Sequence, residues 1–159
     1  MANETGNWVR IMRTFDAPIE EVWDMWTKPE LFQKWYGPMG MTVPSAEMDL
    51  VVGGARRISM EMQTPERTMT MYFTGAYTRI EAPSTLAYTE AMCDADGTLI
   101  PPSAMGMPEG TPDTTEVVVE LSSQDGKTVM VMTHTGVPAG SPGEGGWNQA
   151  FDKLAATFG

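Results

Sequence analysis

From Trp8 to Phe15 the chain alternates, with Val9, Ile11 and Arg13 on one side and Arg10, Met12 and Thr14 on the other. That is the period of a strand rather than a helix. Beyond it the period lengthens. Pro18 suits the start of a helix, Glu20 and Glu21 suit its first turn, and Ile19, Val22, Trp23 and Trp26 recur at helical spacing. Thr27-Lys28-Pro29-Glu30 has capping-box spacing and predicts a second short helix that runs to Tyr36, where Gly37-Pro38 ends it.

Between Ser45 and Ala91 the pattern returns to period two, punctuated at Gly53-Gly54, Thr64-Pro65 and Ala82-Pro83. It predicts strands over 45–52, 55–63, 68–80 and 85–93. TEVVVELSS and KTVMVMTHT flank Gln124-Asp125-Gly126, a hairpin turn in which Asp-Gly supplies the positive-φ positions. The expected sheet then has about seven strands. A last helix begins at Ser141-Pro142-Gly143-Glu144, with Trp147, Phe151, Leu154 and Phe158 as a continuous apolar stripe that should lie on the sheet. Residues 94–114 break this plan. Pro101, Pro102, Pro108 and Pro112 exclude a regular element there, leaving a lid, with Met105 and Met107 facing a ligand, or an unstructured tract.

At 159 residues and 42% hydrophobic content, the chain is read as a single α+β domain over 1–159 with a core of ordinary size. Ten basic against 21 acidic residues give a net charge of -11, which repels phosphate backbones and anionic lipid, so neither nucleic acid nor a membrane is expected as a partner. The N-terminus MANETGNWVR lacks the apolar core of a signal peptide, and no apolar run approaches the roughly 20 residues of a membrane span. A cytoplasmic protein is expected.

Catalytic signatures are scarce. There is no Walker-type phosphate loop and no GxSxG, and Gly53-Gly54 reads as a strand turn. One histidine and one cysteine cannot build a histidine-cysteine metal cluster, so no metal and no cofactor are called for. Cys93 reads as a small buried hydrophobe. Two strands nevertheless direct polar groups inward. Alternation puts His134 on the face of Met130 and Met132, and Glu90 on the face of Leu86, Tyr88 and Met92. Inward polar groups need partners, unless both lie near strand ends open to solvent.

The blocks RTFDAPIEEVWDMWTKPELFQKWYGP, EMDLVVGGARRISMEM, YTRIEAPSTLAYTE and GGWNQAFDKLAATF, in this order and spacing, resemble the family related to the activator of heat-shock-protein-90 ATPase, within the START-like (SRPBCC) domains. The resemblance covers nearly the whole chain. It implies a helix-grip fold: a curved antiparallel sheet around a long C-terminal helix, with a cavity between them that often holds an apolar or amphipathic molecule. It implies no reaction. Two departures stand out. Arg56 occupies a strand position where the family usually carries an aromatic or apolar residue, and the 94–114 loop is long.

With that fold, the second short helix closes one end of the cavity, and Phe32, Trp35 and Tyr36 are either its wall or plain core. Trp26, Trp147 and Phe151 join them from the other helices. Met60, Met62, Met130 and Met132 would line the sheet side, as soft surfaces for loosely specified ligands or as core filler. Tyr88, Glu90 and His134 complete the candidate ligand-binding set. Glu90 and His134 should stand two strands apart, roughly 10 Å, too far for a direct hydrogen bond. The expected function is binding of a small apolar or amphipathic molecule. An enzyme using Glu90 and His134 for acid-base work on an aromatic or polyketide-like substrate is the alternative, and a chaperone-associated module a third. A homodimer is compatible with the chain.

Overall fold

The computed structural model describes residues 8–101, 104, 112–137, 140 and 142–158. Its elements run β1 (Trp8–Phe15), α1 (Ile19–Thr27), α2 (Pro29–Phe32), β2 (Met41–Thr42), β3 (Ala46–Met48), β4 (Ala55–Gln63), β5 (Thr68–Glu81), β6 (Thr85–Cys93), β7 (Thr115–Gln124), β8 (Lys127–Thr135) and α3 (Pro142–Thr157). The sheet order is β1-β8-β7-β6-β5-β4-β2, with β3 also pairing on β4. Every pairing is antiparallel. After β1 the chain crosses through α1 and α2 to the far edge of the sheet. It then returns strand by strand until β8 pairs with β1, from Trp8↔Thr135 to Phe15↔Thr128. The result is the curved helix-grip sheet closed by α3.

Four local readings need correction. Thr27 does not cap α2: its hydroxyl donates back to the Trp23 carbonyl at 2.9 Å, ending α1, while Lys28 takes the N-cap position without a side-chain bond. The second helix stops at Phe32, and looser turn bonds carry the chain on to Tyr36. The strand expected over 45–52 shrinks to β3, because Asp49–Gly54 fold into a turn held by Val51 N–H to Asp49 and Gly54 N–H to Val51. Val51 and Val52 are consequently exposed, so their apolar character reflected no buried face. An eighth, two-residue strand, β2, was not anticipated. The 124–127 hairpin is as expected, with Asp125 at φ 52 and Gly126 at φ 80.

The core fills the grip. Val22, Trp23 and Trp26 of α1 and Trp147, Phe151 and Leu154 of α3 face Val9, Ile11, Ile58, Leu86, Val117, Val119, Met130 and Met132 of the sheet, all buried. Cys93 is buried as well. Two anchors fix α3. Arg13 of β1 donates to the Asn148 carbonyl and pairs with Asp152 at 2.8 Å, while Lys153 reaches the Tyr36 and Pro38 carbonyls from the other side. Of the lid expected over 94–114, residues 102–103 and 105–111, with Met105 and Met107, lie outside the described residues.

Candidate functional site

The N-terminal half of α3 meets the sheet across a gap kept open by small residues. A Cβ on Gly37, which sits at φ 90, would meet the Met60 sulfur at 2.9 Å, and one on Gly146 would press on Pro38 at 3.2 Å. Beside them lies a pocket of about 170 Å³ lined by Tyr36, Gly37, Pro38, Met60, Phe73, Glu90, His134, Val137, Gly143, Gly146, Trp147 and Ala150. Its surface is chiefly apolar, with Glu90 and His134 as polar points. A larger depression of about 680 Å³ on the outer sheet face, along Arg10, Met12, Glu120 and Val131, is an open groove without buried polar groups. The inner pocket has the convergent chemistry.

The pocket is smaller than the elongated cavity the family resemblance implies, because aromatic rings fill the interior behind it. Trp26 packs edge-on to Trp35 at 4.8 Å, Phe32 stacks on Tyr36 at 4.4 Å, and Trp147 lies 5.4 Å from Phe151. Trp26, Phe32, Trp35, Phe151, Met130 and Met132 are fully buried in this packing and do not line the pocket. Tyr36, Met60, Glu90, His134 and Trp147 do line it. Tyr88 lies deeper, while Met62 is exposed beyond the inward-facing part of β4.

His134 is held by a complete chain of hydrogen bonds. The Trp147 indole N–H, which can only donate, gives its hydrogen to His134 Nδ1 at 2.9 Å. The imidazole hydrogen is therefore on Nε2, which donates to the Thr115 hydroxyl at 2.8 Å, and that hydroxyl donates to the Glu90 carbonyl at 3.2 Å. Burial pushes the His134 pKa below its usual value, against a weaker upward pull from Glu90. The ring is neutral with both nitrogens occupied. The β7 strand separates Glu90 from His134, since Glu90 pairs with Thr115 and Val117 with His134. Thr115 bridges the two residues, a role that alternation along a single strand cannot signal.

A second polar cluster lies deeper, around Arg56. This side chain is 2% exposed, and its guanidinium lies between the Tyr88 ring, 3.7 Å from its centroid, and the Phe32 ring at 4.9 Å. Arg56 pairs across β4 and β5 with Gly75, where any Cβ would collide with the Thr89 carbonyl, and its head extends past β5 to reach β6. Arg56 Nη1 stands 3.6 Å from Glu90 Oε2, which also accepts the Tyr36 hydroxyl at 3.2 Å. Burial opposes the arginine charge, but its Tyr88 and Glu90 neighbours outweigh it and hold the pKa above the usual value. Burial likewise pushes the Tyr36, Tyr77 and Tyr88 hydroxyls up, so all three stay protonated. Arg56 Nε and Nη2 and the hydroxyls of Tyr77 and Tyr88 are buried without a well-formed hydrogen bond, although the Tyr77 hydroxyl lies close enough to Arg56 for the guanidinium to pull against its burial. The signal in the sequence was a charge sharing the inward period of Ile58 and Met60.

The family model described as "Activator of Hsp90 ATPase homolog 1-like protein" matches residues 16–159. The chain belongs to this family. No curated protein matches it. Among solved structures it resembles protein CV1439 from Chromobacterium violaceum, at 26% identity over 96% of both chains with a TM-score of 0.75. The AHSA1 protein SPO3351 from Silicibacter pomeroyi, at 19% identity over 94% of this chain and 96% of that one, gives a TM-score of 0.69. CalU16 from Micromonospora echinospora, at 22% identity over 95% and 75%, gives 0.62. At these identities the last two bear on the fold alone. Within the family fold, the inner pocket lies where sheet and final helix meet.

Proposed function

We propose that the protein acts in the cytoplasm by binding a small apolar or amphipathic molecule between the sheet and α3. The observation that carries this reading is the pocket itself: apolar walls from Met60, Phe73, Val137 and Trp147, and a single carboxylate, Glu90, among them. A mostly apolar concavity with few polar points is the usual build of a ligand site. At about 170 Å³ it admits a small molecule or one end of a longer one, below the roughly 300 Å³ common for drug-sized ligands. The family fold is compatible with such binding. Among the described residues no helix is long and apolar enough to cross a membrane.

Acid-base catalysis by Glu90 and His134 finds less support. The proton-accepting nitrogen of His134 already receives the Trp147 N–H, so a base there would first have to break a buried bond. Binding is tested by titrating small arenes into the protein and following Trp147 fluorescence and Met60 methyl resonances. Saturable shifts confined to the pocket are expected. If shifts stay linear and scattered over the surface, the pocket holds nothing and the proposal fails.

A further inference from the structure

Of the 15 methionines, four meet at one corner of the sheet. Met60-Glu61-Met62 on β4 and Met69-Thr70-Met71 on β5 run antiparallel in register, with Met60 opposite Met71 and Met62 opposite Met69. Directly opposed residues share a face, as do residues two apart, so all four stand on the face where Met60 lines the inner pocket. Met41 of β2 flanks them, opposite Met62 on its other side. A Cβ on Gly37 would meet the Met60 sulfur at 2.9 Å and the Met41 Cβ at 3.8 Å, so those two side chains close on one point. Met60 is buried at 8% exposure, but Met62 and Met69 are 37% and 39% exposed. Core filling accounts for Met60 and not for the outer pair.

We propose that Met60, Met62, Met69 and Met71 form a binding site for a soft monovalent metal ion of the Cu(I) class. Cross-strand Cβ atoms stand about 5 Å apart and those of residues i and i+2 about 7 Å, so the centre of this rectangle lies about 4 Å from each Cβ. A methionine sulfur is two bonds beyond its Cβ on a flexible stem. Four thioethers can therefore close to roughly 2.3 Å, a usual metal–sulfur distance, from an ion held just above that centre. Thioethers are soft donors that select Cu(I) over magnesium, calcium or manganese. They carry no charge, so nothing in the set offsets the second charge of a divalent ion. Among the described residues no group of three or more His, Cys, Asp or Glu side chains could hold a metal, so the corner has no rival cage there. The exposed pair gives the ion its way in, and Met60 and Met71 complete the set from the covered side. The proposal is independent of the arene reading, because only Met60 of the four lines the pocket.

The test titrates Ag(I), a redox-inert stand-in for Cu(I), in chloride-free buffer into the protein and its Cys93→Ala variant, which removes the one thiol that could compete. Calorimetry and Met methyl NMR are the readouts. A saturable site should survive in Cys93→Ala and move the methyl signals of the four methionines together. Met62→Leu/Met69→Leu nearly keeps side-chain volume and should weaken Ag(I) binding at least about tenfold, since even the outer partners of a metal site cost that much when lost. Met12→Leu, which changes an exposed methionine on β1, should leave it unaltered. Zn(II) at equal concentration should not displace the ion. Absence of saturable binding, its loss in Cys93→Ala, its full retention in Met62→Leu/Met69→Leu, equal weakening in Met12→Leu, or displacement by Zn(II) each overturns the proposal. Should Met62→Leu/Met69→Leu fail to fold, the methyl map of the unsubstituted protein decides, and shifts confined to other methionines refute the assignment. Met62 and Met69 do not line the pocket, so arene binding should persist in that double variant whichever way the metal result falls.

Discussion

His134 and Arg56 are both buried polar side chains on the concave face of one sheet, and they differ in how fully the protein satisfies them. Around His134 every donor meets an acceptor, from the Trp147 indole through the imidazole and Thr115 to the Glu90 backbone. Around Arg56, two guanidinium nitrogens and two tyrosine hydroxyls lack a well-formed hydrogen bond, with Tyr77 close to the guanidinium but poorly aligned. Unsatisfied buried groups carry a desolvation cost, so the Arg56 cluster stabilises the fold less per polar group than the His134 chain does. The contrast marks His134 as the fully bonded, architectural residue and the Arg56 cluster as the less satisfied of the two. It reverses the ranking that residue types alone suggest, in which a lone inward histidine draws the attention.

The largest effect should come from Arg56→Leu, which leaves the Glu90 carboxylate buried without its cation. A loss of roughly 3 kcal/mol is expected in urea unfolding. The double variant Arg56→Leu/Glu90→Gln should lose clearly less than the sum of the two single changes. Strict additivity would mean that the 3.6 Å ion pair has no energetic reality.

A smaller effect is expected at the satisfied cluster. Trp147→Phe keeps a ring in place but strips the donor from His134 Nδ1, at a cost of about 1–2 kcal/mol. The freed lone pair should let the His134 pKa rise towards its ordinary value, as read by NMR titration. In the parent, the depressed pKa means that below about pH 6.5 the unfolded chain binds a proton the folded chain refuses. Stability should therefore fall as pH drops from there towards the folded pKa, by at most about 1.4 kcal/mol per pH unit. His134→Gln should flatten that part of the profile. An unaltered slope would show that His134 is not the group responsible.

The elements were legible where a period ran long enough to be read. β7, β8 and the stripe Trp147, Phe151 and Leu154 each declared one buried face, and the hairpin at Asp125-Gly126 was fixed by its turn residues. Short elements were not legible, because two or three residues carry no period: β2 was missed and the three-residue β3 was read as a strand over 45–52. The site was half legible. Alternation turned Glu90 and His134 inward, but Thr115 connects them only through the β6–β7 and β7–β8 registers, which sequence does not supply. Ring packing also decides whether an aromatic lines a pocket, as Tyr36 does, or plugs the space behind it, as Trp35 does.

The smallest effect concerns the pocket's floor. Gly37→Ala and Gly40→Ala place a side chain at φ 90 and φ 87, and each should cost about 1 kcal/mol in backbone strain. Only Gly37→Ala also pushes on the Met60 sulfur, whereas Gly40 has open space around it. Arene binding should weaken in Gly37→Ala and stay unchanged in Gly40→Ala. Equal weakening in both would place the binding surface elsewhere.

Side-chain nitrogen NMR during a titration with small arenes reads the pocket and the His134 chain at once. The account predicts a saturable shift of the Trp147 indole N–H as an arene fills the pocket it lines. His134 should keep the neutral pattern with its hydrogen on Nε2 throughout. A His134 ring that protonates or switches its tautomer on binding would contradict the account and make His134 the working residue, and an unmoved Trp147 signal would leave the pocket without a ligand.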